Sequence, residues 1–367
     1  MTIYVDHTHL GRHVTGLERI TMELFSPSAL APLDIAPITA RNVPQMIATQ
    51  TFGLPAKLAA SSSILLCPGF PPSALLRPFA SRVLPYIHDL FLLSRPADLN
   101  ARARLYMAPP FKLAVRHYPH FLVNSLDTKK QLASHCRPDA AITLYRPPVR
   151  NVFDLEVAVR AERQSGRLRL IALGTVEPRK NFVAAGQITG ALRAHGFADA
   201  TLDIVGRRGW GNDWPTLETM PGVTLHGYQP ADRVRELLHE ADVFICTSHE
   251  EGLGLPLLEA QYAGLPVIAP DAAIFREVLG VSGTFIDTAE PEAAAADIAT
   301  LLSESDWRAR HVDLAARNLA RWNALAAADR NTVIALISTL AKRKATALPV
   351  KPAMPRGANE VGLDGGQ

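Results

Sequence analysis

Between residues 249 and 264 the chain reads HEEGLGLPLLEAQYAG. Two carboxylates, Glu251 and Glu259, bracket glycines at 252 and 254. An apolar run, DVFICTS, precedes them, and a helix is predicted to start near Leu255. The first turn of a helix has unpaired N–H groups and partial positive charge. Glycines there let a ligand come close to the backbone, which makes an anion site suited to a diphosphate. Glu259 falls on the second turn, where a phosphate would repel it. The vicinal hydroxyls of a ribose are its natural partner, because a carboxylate accepts two hydrogen bonds. Glu251 lies ahead of the helix, where a transferred sugar would sit. A solvated acidic loop before a surface helix is the other reading of the same acids.

Upstream, LGTVEPRKNF places Arg179 and Lys180 in a loop after a strand. Two cations there can neutralise a leaving diphosphate, or be a solvated basic pair. VGRRGWG at 205–211 and LHGYQP at 225–230 are turns at later strand ends, so they share one rim.

The elements that must hold these residues alternate. TIYV, LDIAPI, SILLC, VLPYIH, HFLVN and AITLY read as strands of a first half, and LRLIALG, TLDIVG, DVFICT, PVIA and TFID as strands of a second. Helix-period stretches lie between them. TGLERITMELF puts Leu17, Ile20, Leu24 and Phe25 on one face, and NFVAAGQITGALRAHG ends on Gly196, a C-cap residue. Alternation implies parallel sheets covered on both faces, and it occurs twice. The expected fold is α/β with two doubly wound domains. The boundary falls in YRPPVRNVFDLEVAVRAERQSGRLR, with a hinge near 146–166. RWNALAAADRNTVIALISTLAKR reads as a final amphipathic helix, and the Pro/Gly-rich stretch from about Ala345 as a disordered tail.

Composition narrows the class. The 367 residues suit two domains, and 48% hydrophobic with 20% charged residues is a globular balance. A net charge of +3 without a long Lys/Arg run argues against nucleic acid. Cys67, Cys136 and Cys246 are widely spaced, which fits free thiols in a reducing compartment. MTIYVDHTHLGRH lacks a signal-peptide pattern, and no run approaches the ~20 apolar residues of a membrane span. A cytoplasmic location is expected.

Taken in order, LGTVEPRKN, VTLHGY, ADVFICTSHEEGLGLPLLEAQYAGLPVIA and FREVLG resemble glycosyltransferase family 4, retaining enzymes of the GT-B fold. TGLERITMELF, YIHDL and NSLDTKKQL are weaker matches in the first half. The resemblance spans roughly 1–340. It implies an acceptor-binding Rossmann-like domain over 1–150 and a nucleotide-sugar domain over 151–310, with a C-terminal helix at about 310–343 packing back on the first. A tail is left at 345–367. It further implies that Arg179 and Lys180 contact the donor diphosphate, with the backbone of Gly252, Leu253, Gly254 and Leu255 completing the phosphate site. Glu251 would take the donor sugar, Glu259 the ribose, and Tyr228 would lie near the base. Gly16 would lie by the phosphate or acceptor, and His88 would face the reacting sugar. On its own, His88 reads as a hydrogen-bonded strand-end histidine and Asp89 as a helix cap. Two positions depart from the family: Thr175 stands where many members carry Arg, and Thr15 where a second glycine is common.

The implied reaction moves a hexose, with mannose favoured, from a GDP-, UDP- or dTDP-linked donor to a glycan or lipid-diphosphate acceptor, as in cell-surface polysaccharide or lipopolysaccharide assembly. No Asp-x-Asp is present, so no metal or other cofactor is expected. A non-catalytic nucleotide-sugar scaffold and a nucleotide-sugar epimerase are the competing readings. The segment 94–121 interleaves Arg95, Arg102, Arg104, Lys112 and Arg116 with Tyr106, Phe111, Tyr118 and Phe121. Such a face could rest on the inner surface of the membrane, or be a solvated helix beside a core.

Overall fold

Apolar runs buried on both faces assemble into two six-stranded parallel sheets. A computed structural model of the chain describes residues 2–11, 16–96, 99, 103–157 and 166–346. Thr15, Arg102, the connection at 158–165 and the tail from 347 lie outside these described residues.

The first sheet contains β1 (Ile3–Asp6), β2 (Ile35–Ile38), β3 (Ile64–Cys67), β4 (Val83–Ile87), β5 (His120–Val123) and β6 (Ala141–Leu144), in the order β2-β1-β3-β4-β5-β6. The second contains β7 (Arg167–Leu173), β8 (Asp199–Val205), β9 (Val223–Gly227), β10 (Val243–Ile245), β11 (Val267–Pro270) and β12 (Gly283–Ile286), in the order β12-β11-β10-β7-β8-β9. β3 and β4 are buried at every position, as parallel strands covered on both faces must be. The α/β, doubly wound reading therefore holds for both halves.

Strand order fixes where ligands can bind. Successive crossovers leave in opposite directions from β7 and β10, and the loops after their carboxyl ends open a crevice. The loop after β7 carries Arg179 and Lys180, and the loop after β10 carries Glu251 and Gly252. Residues some 70 positions apart in sequence meet because this switch point puts β10 beside β7, with Phe244 level with Ile171. In the first sheet, β1 and β3 flank the equivalent switch, and β1 leads towards the helix Gly16–Phe25.

After β12 the chain returns to the first domain on one long helix, Trp307–Thr346. Trp322, Ala326, Val333 and Ile337 are buried at a helical spacing. The Trp322 indole N–H donates to the Pro147 carbonyl at 2.9 Å, and Arg330 Nε to the Ala29 carbonyl at 2.6 Å. On the second domain, Asn318 donates to the Val278 carbonyl at 3.1 Å. Length and composition alone would let this helix cross a membrane, but the buried stripe faces the protein core.

Arg146 joins three elements. At the end of the first sheet it meets Asp329 of the long helix at 2.7 Å and Glu277 of the second domain at 3.2 Å. Glu277 also accepts from the Leu126 N–H at 2.8 Å, so a carboxylate of one domain caps a helix, Leu126–Ala133, of the other. Removing one member of a buried charge network leaves the others uncompensated. Arg146→Ala is expected to cost about 3 kcal/mol in urea unfolding. A loss under about 1 kcal/mol would mean the network is solvent-relaxed.

Candidate active site

The second-domain wall is a set of interlocked loops. Pro178–Lys180 form a single 3-10 turn, stopped by Asn181 in the left-handed region at φ 50°. The Thr247 hydroxyl, just past β10, donates to the Asn181 carbonyl at 2.8 Å, and the His249 N–H to the Arg179 carbonyl at 2.9 Å. These bonds place the Arg179 and Lys180 side chains against Glu251.

Lys180 Nζ contacts one Glu251 oxygen, Arg179 Nη1 the other at 3.0 Å, and the Ser248 hydroxyl donates to the first at 2.8 Å. Burial pushes the Glu251 carboxyl up, but the Lys180 and Arg179 charges outweigh it and hold it below the usual carboxylate range. Arg179 is fixed further by Glu177 at 2.6 Å and by the Phe91 ring of the first domain, 4.5 Å below its guanidinium. Gly254 is the N-cap of the Leu255–Ala260 helix in the left-handed region at φ 80°. A Cβ there would also lie 2.5 Å from Leu257 Cδ1, so only glycine fits.

The first-domain wall faces this. His88, at the end of β4, donates from Nε2 to the Pro68 carbonyl at 2.6 Å. Burial lowers its pKa to about 4, so the ring is neutral near pH 7 and its Nδ1 carries a lone pair. Asp89 accepts from the Phe91 N–H at 3.1 Å, from one residue ahead of Leu90, the N-cap of the short helix Phe91–Ser94. From the first helix Arg19 reaches across to Glu259. Burial raises the Glu259 pKa despite that guanidinium.

Together these residues line a cleft of about 500 Å³ between the two sheets. Lys180, Arg179, His88, Glu251, Gly16, Gly252, Leu253, Gly254, Leu255 and Glu259 all border it. Tyr228 does not. It follows the edge strand β9, is 67% exposed, and lies beside the Arg207 guanidinium at 4.7 Å. Two of these cleft residues also touch the other domain: at Gly252 a Cβ would come within 2.0 Å of the His88 carbonyl oxygen, and Glu259 is paired with Arg19. Arg19 and Asp89 border the cleft as well. Arg19 shares a helix face with Gly16 and Ile20, at i+3 and i+4 spacing. That is the signal that would have pointed to it.

The segment proposed as an aromatic-basic face also differs. Phe111, Tyr118 and Phe121 are buried in the first-domain core, Phe111 on the Ala108–His117 helix, Tyr118 at its C-cap and Phe121 on β5. Arg104, Leu105, Tyr106, Lys112 and Arg116 are exposed, and Arg95 is half-buried.

Asp89 sets a pH dependence. Burial raises its pKa from 3.8 to about 6; the Phe91 N–H and Arg179 oppose this, and Glu251 and Glu250 add to it. Between about pH 4 and pH 6 the folded protein binds a proton that the unfolded chain has released, so stability falls as pH rises through this window. Asp89→Asn should therefore raise stability by about 2 kcal/mol above pH 7 and leave it unchanged near pH 4. Thermal melts from pH 4 to 8 check this; a gain that is equal at both ends would rule Asp89 out as its source.

Two Rossmann-like domains facing each other across a cleft at their strand carboxyl ends define the GT-B fold. Residues 167–304, most of the second domain, match the family model of the glycosyl transferases group 1. The chain is 34% identical over 141 residues to the O-antigen chain mannosyltransferase B of Escherichia coli, covering 37% of each chain. It is 26% identical over 285 residues to a D-inositol 3-phosphate glycosyltransferase of Thermobispora bispora, covering 74% of this chain and 61% of that one. The matched region thus spans less than two thirds of either relative. Among solved structures, a sucrose-phosphate synthase from Thermosynechococcus elongatus superposes with a TM-score of 0.68 at 15% identity, over 95% of this chain and 100% of that one.

Proposed function

We propose that the protein transfers a hexose from a nucleoside diphosphate donor to a hydroxyl of a glycan or lipid-linked acceptor, with retention at the anomeric carbon. One observation carries this reading. Lys180, Arg179 and Glu251 converge with the Gly252–Leu255 backbone and Glu259 around a single cleft between the domains. The donor diphosphate would lie by Lys180, Arg179 and the Leu255 helix start, the ribose at Glu259, and the sugar at Glu251. As the bond to the anomeric carbon breaks, negative charge grows on the leaving phosphate, and the fixed cations stabilise it. That phosphate oxygen takes the acceptor proton on the same face, so no opposed pair of carboxylates is required.

Mannose as the sugar, and a role in cell-surface polysaccharide or lipopolysaccharide synthesis, are supported by the kinship with an O-antigen mannosyltransferase. Positive charge at the leaving phosphate would come from Lys180 and Arg179 rather than from a metal ion, so EDTA should leave the rate unchanged. The protein would work in the cytoplasm, touching the inner membrane face through Arg104, Leu105, Tyr106 and Lys112. Flotation on anionic liposomes should fall when Arg104 and Lys112 are neutralised.

Thermal shifts with GDP, UDP and dTDP, followed by GDP-mannose and UDP-glucose turnover assays, test the central reading. A nucleotide at 100 times its dissociation constant should stabilise by about 2.7 kcal/mol. No shift with any of the three would sink it. A donor converted to a stereoisomer without an acceptor would indicate an epimerase instead.

A further inference from the structure

Arg19 is placed between two cavities and two carboxylates. Its guanidinium pairs with Glu259, which is 4% exposed, while its own side chain is 23% exposed. It borders the cleft on one side. On the other side it borders a second cavity of about 650 Å³, lined also by Glu23, Ser26, Tyr145, Arg150 and Asn323. Glu23 lies one turn along the same helix, and the charge of Arg19 acts on both acids. The Arg19 Nε–H is buried and has no acceptor among the described residues. Buried polar groups without a partner are uncommon and call for a cause.

A carboxylate that binds a vicinal diol uses both of its oxygens, so a ribose competes with the guanidinium for the Glu259 oxygen that Arg19 holds. We propose that Arg19 is a donor-binding residue that exchanges partners. With the cleft empty it neutralises Glu259. When the ribose diol takes Glu259, the guanidinium is released towards the donor's phosphate groups, where Nε finds an oxygen. The second cavity leaves room on the far side of the side chain for this movement. The inference rests on the donor-site reading above, since it needs a ribose at Glu259.

It follows that Arg19 opposes binding at the nucleoside end of the donor and favours binding at the phosphate end. A residue that merely braces the two domains would affect both ends in the same sense. Titration calorimetry with uridine and UDP, and with guanosine and GDP, separates these cases. In Arg19→Met the nucleoside of whichever pair binds the wild type should bind about fivefold tighter, and its diphosphate about tenfold weaker. Arg19→Lys keeps a point charge without the fork, so diphosphate affinity should recover in part. In turnover assays the donor KM should rise more than kcat falls. Parallel changes for nucleoside and diphosphate in both variants would overturn the exchange. If no wild-type nucleotide binds, the donor-site reading falls too, so the two failures are distinguishable. Should Arg19→Met fail to fold, the lysine variant alone decides: unequal effects at the two ends support the exchange, and equal effects refute it.

Discussion

Lys180→Ala should lower kcat for sugar transfer about 100-fold or more, the equivalent of removing ~3 kcal/mol of transition-state stabilisation. The side chain ends in the cleft against Glu251, within the loop that Thr247 and His249 hold in place. A cation fixed in a partly desolvated site is worth more than one in water, and its position is set before charge develops on the leaving group. Folding should be little affected, because Glu251 keeps Arg179 at 3.0 Å and the Ser248 hydroxyl at 2.8 Å. The signature is thus a large fall in kcat with a small change in Tm, read from initial rates of nucleoside diphosphate release at saturating donor. A rate within threefold of wild type would remove Lys180 from the reaction. A matching collapse of Tm would assign it to folding.

Gly252→Ala is the second large effect, and it acts through the domain seam. The added methyl would lie 2.0 Å from the His88 carbonyl oxygen and 3.2 Å from Asp89 Cβ. The first of these is backbone, so no rotamer change relieves the clash. The seam is also tied by the Ser125 hydroxyl, which donates to the Gly252 carbonyl at 3.1 Å. Overpacking at such a site costs roughly 1–3 kcal/mol, and here the cheapest relief is to part the domains. Transfer activity should be lost, with a larger radius of gyration in small-angle scattering and both domains still folded. Gly190→Ala is the control. Nothing lies within 4 Å of a Cβ there, and the helical position should gain about 0.5–1 kcal/mol. Equal behaviour of the two variants would show that contact at Gly252 is not what keeps the domains together.

What could be read from the sequence follows the range of each interaction. The strands were legible because parallel strands buried on both faces leave continuous apolar runs, as in SILLC and VLPYIH. That Lys180 and Glu251 share one site was legible through the family resemblance, and both loops leave strand carboxyl ends, where such sheets bind ligands. The pairing of Arg19 with Glu259 was not, because the two lie in different domains and no local spacing encodes that distance. Asp89 shows a different limit. Its hydrogen bond to the Phe91 N–H is a matter of neighbouring residues, although Leu90 and not Asp89 is the N-cap, whereas its raised pKa arises from burial. Phe111, Tyr118 and Phe121 look like an exposed ribbon when charges are interleaved with rings, but helix and strand periodicity turns them inward. Tyr228 sits on the expected rim, yet β9 is the outermost strand, and that places it beyond the cleft.

The long helix Trp307–Thr346 has a mechanical consequence. It is bonded to the first domain at Ala29 and Pro147 and to the second at Val278. The polypeptide therefore passes between the domains twice, outward after β6 and homeward along this helix. A single tether would let the halves tumble, but a double one behaves like a door hung on two pins. Any parting of the cleft is then constrained by two crossings rather than one, and it must break the Ser94–Glu250 contact at 3.3 Å.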